Sequence, residues 1–234
     1  MQNQDNKLEL AANYIKDSKY LVAFTGAGIS VESGIPPFRG AEGLWSKYDP
    51  QVLDLGYFHQ NPLESWEVIK EIFYDFFGNA KPNPAHIALA QLEKMGILKC
   101  VITQNIDNLH QAAGNTIVHE FHGNSQKLVC TSCSRHYKVK DLNLDVLPPL
   151  CESCNSLIKP DFILVIRHHF ENGISVFELD EGHHHDHLLC VKCGSIIEVN
   201  PESSRYTDYV TDIHLQGKAG KVMVELLEKI AELE

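Results

Sequence analysis

Two segments that lie far apart in the chain share one pattern, a short hydrophobic run that ends in a polar loop. Residues 21–30 read LVAFTGAGIS, and residues 101–110 read VITQNIDNLH. An apolar run that stops at glycines predicts a buried strand whose backbone then turns tightly and can approach a phosphate group. Because such loops meet at the carboxyl edge of a parallel sheet, we expect the two segments to form two walls of one nucleotide pocket. The glycine loop alone is weak evidence, since an ordinary turn after a strand has the same pattern.

Hydrophobic periodicity elsewhere predicts alternating helices and strands. A chain of 234 residues that is 44% hydrophobic can bury a sizeable core. Strands that alternate with helices are typical of an α/β fold with a Rossmann-like parallel sheet flanked by helices. The predicted helices are 8–17, 62–77, 85–95 and 218–233, and the predicted strands after the first are 98–103 and 116–120.

The charge and the N-terminus narrow the possible partners. A net charge of -11 argues against nucleic-acid binding through the overall field and favours basic partners such as lysine-rich tails. The sequence contains no apolar run of membrane-spanning length, and its N-terminus has no apolar signal segment. We therefore expect a soluble, cytoplasmic protein with no membrane partner, whose oligomeric state the sequence does not predict.

Four of the seven cysteines form a pattern typical of a metal site. Cys130 and Cys133 form one C-x-x-C pair, and Cys151 and Cys154 form a second pair after seventeen intervening residues. Two such pairs, each presenting two sulfurs from a tight turn, predict a tetrahedral zinc site of four thiolates. Four protein ligands leave no position for water, so the zinc would be structural. Cys100 lies in an apolar run and is expected to be buried.

Three further strings follow one another in an order that identifies a family. They are GIPPFRG at residues 34–40, QNID at residues 104–107 and FHGN at residues 121–124, and the four cysteines come after them. Together they resemble the sirtuin family of NAD-dependent protein deacylases. The resemblance runs from about Leu8 to Asp161 and resumes near Ile197.

The resemblance implies the domain organisation and the ligands. A Rossmann-like NAD-binding domain is expected from residues 1–125 and 197–234, and a zinc-ribbon lobe from residues 126–160. The implied cofactors are NAD and one structural zinc ion. The implied substrate is an acetylated lysine in a protein or peptide.

Three residues are candidates for catalysis. His122 follows a predicted strand, a histidine titrates near neutral pH, and Gly123 leaves space beside the ring. An isolated histidine is more often structural, but the resemblance implies that His122 is the base that activates a ribose hydroxyl. It also implies that Asn105 and Asp107 form a polar floor under the ribose and the nicotinamide carboxamide. Asp107 could instead cap a helix over residues 108–113.

The resemblance also implies a larger cofactor site. Phe38 and Arg39 would belong to a loop in which the ring shields the reactive carbon and the guanidinium positions the cofactor, although a solvent-exposed loop with one packed aromatic residue would also fit. Asn200 would lie against the adenosine. The implied cofactor-binding residues are Gly26, Ala27, Gly28, Ser30, Phe38, Arg39, Gln104, Asn105, Ile106, Asp107 and Asn200.

Residues 164–196 depart from the sirtuin pattern. The Phe-Gly-Glu and Gly-Thr-Ser strings of the family are absent, and Asn172–Gly173 between two β-prone runs predicts an inserted hairpin. The segment resembles the metal-binding part of the ferric uptake regulator family, which makes the chain chimera-like. A second metal site is predicted there, or else a solvated loop. Its candidate ligands are His183, His185, Asp186, His187, Cys190 and Cys193.

Two functions follow from these patterns. The first is an NAD-dependent protein-lysine deacetylase that transfers the acyl group to ADP-ribose and releases nicotinamide. A neutral acyl group is expected, because residues 43–49 lack the Tyr-x-x-Arg pair of family members that remove acidic acyl groups. The alternative is a catalytically silent, zinc-binding protein on a sirtuin scaffold, since the replaced segment could weaken the phosphate wall and leave the sheet without a central strand.

Overall fold

The computed structural model describes most of the chain. The described residues are 4–38, 43–162, 167–169, 175–177, 186–190, 194–204 and 207–233. In 167–169, 175–177 and 186–190 the description is confined to the backbone. Across these described ranges, no helix is long and apolar enough to cross a membrane.

Six α-helices and eleven β-strands are present in this part of the chain. The helices are α1 (Gln4–Asp17), α2 (Leu55–Gln60), α3 (Pro62–Ile69), α4 (Pro84–Lys94), α5 (Leu109–Ala113) and α6 (Ala219–Glu232). The strands are β1 (Leu21–Thr25), β2 (Leu98–Thr103), β3 (Val118–Glu120), β4 (Gly123–Cys130), β5 (His136–Lys138), β6 (Ile158–Phe162), β7 (Arg167–His169), β8 (Ser175–Phe177), β9 (Asp186–Cys190), β10 (Ile196–Asn200) and β11 (Ile213–Gln216).

The main sheet has six strands in the order β11-β10-β9-β1-β2-β3. Strands β1, β2 and β3 are parallel, as are β10 and β11. Buried apolar residues of β1, β2, β10 and β11 form one core with α1, α4 and α6. The α/β class with a Rossmann-like sheet flanked by helices is confirmed, and the predicted strand at 98–103 has the bounds of β2.

Among the described strands of the main sheet, only β9 runs antiparallel to its neighbours. It lies between β1 and β10 and is antiparallel to both, with Leu188 opposite Ala23 on one side and Ile197 on the other. The expectation that the sheet loses a central strand is therefore wrong, because β9 fills that position and supplies backbone hydrogen-bond partners to both neighbours. Strands β7 and β8 pair antiparallel, whereas the predicted turn at Asn172–Gly173 lies outside the described residues.

A second core lies under a three-stranded sheet of order β5-β4-β6. Trp66 of α3 is fully buried there, and its Nε1 donates to the Ile158 carbonyl of β6 at 2.8 Å. The predicted helix at 62–77 is divided, because α3 ends at Ile69 and a π-helix covers Lys70–Phe76. This change of helical pitch accompanies the burial of Phe73 against Phe162, with ring centroids 5.0 Å apart.

Two histidines meet in the interior beside the main sheet. His86 of α4 and His110 of α5 are almost fully buried, with ring centroids 4.9 Å apart. His86 Nδ1 accepts from the Asn83 backbone N–H, which closes the capping box of α4. Burial lowers the pKa of His86 to about 3 and that of His110 to about 4, so both rings are neutral near pH 7.

This histidine pair predicts a pH-dependent stability. Unfolded histidines, with a pKa of 6.5, bind protons that the folded ones do not, so the free energy of unfolding should fall as pH drops from about 6.5 to about 4. The expected slope is at most about 1.4 kcal/mol per pH unit for each histidine. His110→Gln should reduce the slope measured by urea unfolding across this range. The exposed His119→Gln serves as the control, and equal slopes for His110→Gln and wild type would contradict the prediction.

Candidate functional site

The carboxyl ends of β1 and β2 meet through their loops, as predicted. After β1, Gly26 leads into a 3₁₀ turn over Ala27–Ser33. The Gln104 N–H, just after β2, donates to the Thr25 carbonyl at 3.0 Å. The two predicted walls therefore form one continuous polar edge of the sheet.

Asn105 joins these two loops through its side chain. Its Nδ2 donates to the Gly26 carbonyl at 2.9 Å and lies 3.1 Å from Ser30 Oγ. Ser30 is fully buried, and its hydroxyl donates to Asp107 Oδ2 at 2.7 Å. Three residues singled out from the sequence thus form one hydrogen-bonded network beside the glycine loop.

Asp107 makes the helix-capping contact that the sequence left open as one alternative, and it also accepts a hydrogen bond from Ser30. Its Oδ2 accepts from Ser30, and its Oδ1 accepts from the Leu109 N–H at 2.9 Å at the start of α5. Burial raises the pKa of this carboxyl group, while the hydrogen bonds from Leu109 and Ser30 act in the opposite direction. Asp107 is therefore a preorganised acceptor whose geometry is fixed by the helix start.

Asn108, in the left-handed region with φ 64°, occupies the N-cap position of α5. Its Nδ2 donates to the Ile106 carbonyl and to Ser125 Oγ, each at 3.1 Å. Ile106 is half-buried against the second core, and its carbonyl also accepts from the Ser125 N–H. These contacts connect the loop after β2 to β4.

A buried layer of side chains, not predicted from the sequence, supports Asn105. Thr25 Oγ1 donates to Thr103 Oγ1 at 2.9 Å, and Thr103 Oγ1 accepts from the Asn105 N–H at 3.0 Å. His110 Nε2 lies 2.8 Å from Thr25 Oγ1. The available signal was a threonine at the end of each apolar strand, where a polar residue interrupts the hydrophobic run. The layer holds the ends of both strands in register.

His122 lies in the turn between β3 and β4 and is half-buried. Gly123 follows it with φ 87°, and a Cβ there would clash with the Asp161 carbonyl and lie 2.7 Å from Phe162 Cα. Only glycine therefore allows β6 to pass so close to this turn. The Phe121 N–H donates to the Thr103 carbonyl at 2.9 Å, which attaches the turn to the end of β2.

An aromatic cluster reaches β6 through Phe73, whose ring packs against Phe162. Phe38 is half-buried, with its ring centroid 5.3 Å from that of Trp45 and 6.4 Å from that of Phe73. The Trp45 N–H donates to the Phe38 carbonyl at 2.9 Å, so the base of the intervening loop is closed. Arg39, in that loop, lies outside the described residues.

The second predicted metal cluster is placed only in part. His183, His185 and Cys193 lie outside the described residues, and Asp186, His187 and Cys190 are described only as backbone of β9. The register places His187 between Phe24 and Glu198, near the carboxyl end of β1, and Cys190 beside Leu21 at its start. The second metal site stays a prediction.

A cavity of about 320 Å³ opens beside the carboxyl end of β10. Its lining combines the loop after β1, the end of β10 and the start of α6. The lining residues are Gly28, Val31, Glu32, Val199, Asn200, Pro201, Lys218 and Ala219. Gly28 and Asn200, which were predicted to bind the cofactor, thus share one concave surface.

Glu198 is a buried carboxylate that the sequence analysis missed. It is 0% exposed, and its Oε2 accepts from Thr207 and Thr211 hydroxyls at 2.8 and 2.9 Å. Burial favours a higher pKa for Glu198, but hydrogen bonds from Ser204, Thr207 and Thr211 bring the pKa below its ordinary value. The carboxylate anchors the segment that follows Asn200. The sequence signal was a glutamate that interrupts the apolar run between Ile197 and Val199.

The four predicted zinc ligands converge in the lobe carrying β4, β5 and β6. Their sulfurs lie within 4.8 Å of one another, with Cys130 and Cys154 3.5 Å apart and Cys133 and Cys151 3.6 Å apart. Tetrahedral zinc with Zn–S bonds of about 2.3 Å requires sulfurs about 3.8 Å apart, so the cluster fits the ion.

Hydrogen-bond donors surround these sulfurs. The Ser132 and Cys133 N–H groups point to Cys130 Sγ at 3.4 and 3.5 Å, and Tyr137 Oη donates to Cys151 Sγ at 3.1 Å. Donors of this kind favour the thiolate form that a metal ion requires. The donor set and its surroundings are those of a closed structural site.

Comparisons with known proteins agree with this geometry. The Sir2 family model matches residues 26–201. The chain is 40% identical to "NAD-dependent protein deacylase 2" of Archaeoglobus fulgidus over 98% of each chain. It is 39% identical to the "NAD-dependent protein deacylase" of Pyrococcus furiosus, with 92% of this chain and 95% of that one covered.

Solved structures of Sir2 homologues have the same fold as this chain. A Sir2 homologue bound to ADP-ribose has a TM-score of 0.80 and 35% identity, with 96% of this chain and 97% of that chain covered. A Sir2 homologue bound to NAD has a TM-score of 0.77 and 34% identity, with coverages of 96% and 94%. Since the family match covers most of the chain and the fold agrees over nearly all of it, this protein belongs to the Sir2 family, the sirtuins.

Proposed function

We propose that this protein is an NAD-dependent protein-lysine deacylase that acts on acetylated lysines in proteins or peptides. The proposal rests mainly on the network in which Ser30, Asn105 and Asp107 meet at the carboxyl edge of the sheet. Relatives over nearly the full chain length, named as NAD-dependent protein deacylases, support the same activity. The acyl group would pass from the lysine amide to ADP-ribose, with release of nicotinamide.

The polar network fits a ribosyl nicotinamide group. Asp107 and Asn105 offer an acceptor and an amide whose positions are already fixed by hydrogen bonds, so little ordering is needed when a ligand binds. NAD, when bound, supplies the ribose carbon that accepts the acyl group and the nicotinamide that leaves. The remaining proposed contacts lie at Gly26, Ala27, Gly28, Gln104 and Ile106 in the two loops and at Asn200 in the cavity.

His122 is the proposed general base. The turn that carries it is attached to β2 through Phe121 and passes close to β6 at Gly123, so the backbone of His122 is fixed at the edge of the sheet. There the imidazole would accept a proton from a ribose hydroxyl. Phe162, which pairs with Gly123, provides apolar surface next to this turn, and Phe73 packs against it; this surface favours a neutral acyl group and limits the access of water.

This assignment predicts the effect of removing His122. His122→Ala should lower the steady-state rate of nicotinamide release from NAD and an acetylated peptide by about 10²–10⁴-fold, the range typical of losing a general base. NAD binding, measured by calorimetry, should persist. His119→Ala, at an exposed position on β3, is the matched control and should retain wild-type activity.

Two results would decide against the proposal. Undiminished nicotinamide release by His122→Ala would exclude His122 as the base. Tight NAD binding without any nicotinamide release by the wild-type protein would favour the catalytically silent alternative.

The cytoplasmic location stays a prediction of the sequence.

The four cysteines are proposed to hold one zinc ion that stabilises the lobe. Cys130→Ala should reduce the zinc content from one ion per chain to about zero and should lower the thermal midpoint, because the lobe then loses the ion that joins its two cysteine pairs. Cys100→Ala removes a buried cysteine outside the cluster and should keep one zinc ion. An unchanged zinc content in Cys130→Ala would contradict the assignment.

A further inference from the structure

The cavity beside Asn200 has a distinctive charge arrangement. Among the described residues that line it, Glu32 and Lys218 carry opposite charges. Lys218 is the N-cap residue of α6, and Glu32 belongs to the 3₁₀ turn after the glycine loop. The helix start and the glycine loop therefore face each other across the cavity.

Glu32 occupies the place where an anion would bind to α6. Its Oε2 accepts from the Gly220 N–H at 2.6 Å. Helix α6 has fourteen residues, and its Lys218 side chain makes no capping hydrogen bond. The N–H groups at a helix start have no partner within the helix and attract negative charge, and here a carboxylate of the protein already accepts a hydrogen bond from one of them.

Gly220 leaves room for this contact, since a side chain at this position would displace the flexible end of Glu32. A Cβ at this position would lie 2.8 Å from Glu32 Oε2, which is closer than real contacts allow. The absence of a side chain thus admits the carboxylate to the helix backbone. Glu32 is nevertheless exposed, so the same carboxylate faces any ligand that enters the cavity.

A carboxylate in this position discriminates between hydroxyl and phosphate groups. It can accept hydrogen bonds from ribose hydroxyls, whereas it repels a phosphate and already occupies the helix start that a phosphate would use. In dinucleotide-binding folds, an acidic residue beside the ribose is characteristic of NAD, and a cation there accommodates the 2′-phosphate of NADP.

We propose that Glu32 makes this protein selective for NAD over NADP by excluding a 2′-phosphate from the cavity beside Asn200. The assignment rests on the proposed NAD-dependent function and adds the residue that sets cofactor specificity. Without the negative charge of Glu32, Lys218 and the start of α6 would form a favourable environment for that phosphate.

Calorimetric titration of the zinc-loaded protein with NAD and with NADP tests the proposal. The wild type should bind NAD more tightly. Glu32→Gln keeps an acceptor for the Gly220 N–H but removes the charge, so NADP affinity should rise about tenfold while NAD affinity stays within about threefold. Glu202→Gln removes an exposed charge just beyond Pro201, outside the cavity lining, and should leave the ratio unchanged.

Glu32→Asp separates selectivity from simple helix capping. The shorter side chain keeps the charge but should lose the contact with Gly220, so the preference for NAD should persist in Glu32→Asp and decrease in Glu32→Gln. The reverse order, or equal affinities of the wild type for NAD and NADP, would overturn the role of Glu32. An equal change in Glu202→Gln would do the same.

The same titrations separate a failure of the proposed NAD-dependent function from a failure of the role of Glu32. Wild-type protein that binds neither dinucleotide would overturn both the NAD-dependent function and the role of Glu32. Selective NAD binding without nicotinamide release from an acetylated peptide would refute the deacylase activity and leave the role of Glu32 intact.

Discussion

The amide of Asn105 connects the two loops on which the site depends. Through one nitrogen it reaches the Gly26 carbonyl after β1 and the Ser30 hydroxyl, which in turn donates to Asp107. Each group is mostly removed from water, so an unpaired member would cost about 1–3 kcal/mol. The network therefore fixes the glycine loop, the start of α5 and the acceptor atoms of the site in one arrangement.

The central position of β9 keeps the glycine loop after β1 and Asn200 at the end of β10 in one sheet. A sheet divided between β1 and β10 would leave two open edges and would separate the glycine loop from Asn200. Strand β9 pairs antiparallel with both β1 and β10 and so joins them. Glu198 on β10 accepts hydrogen bonds from two threonine hydroxyls and so fixes the segment after Asn200. Both walls of the cavity are held by these contacts.

The zinc lobe contributes to the site through β4 and β6. Strand β4 starts at Gly123, directly after His122, and ends at Cys130, so one strand links the proposed base to the cysteine cluster. The close approach of Phe162 on β6 requires the glycine at position 123. A structural metal can thus influence the position of His122 without contacting it, through the pairing of two strands.

The sequence by itself determined the features that depend on neighbouring residues: the strand at 98–103, the glycine loop after β1, the loop of Asn105 after β2 and the cysteine pairs. The order of these motifs also determined the family. The sequence left open whether Asp107 was a cofactor-site residue or a helix cap; the fold uses one carboxylate oxygen for the cap of α5 and the other for the hydrogen bond from Ser30. Only the tertiary structure decided the direction of β9, the burial of Glu198 and the pairing of His86 with His110. It also brought Glu32 to Gly220, 188 residues away. Such features rest on packing between distant segments, and local hydrophobic patterns carry no information about which distant partner a side chain will meet.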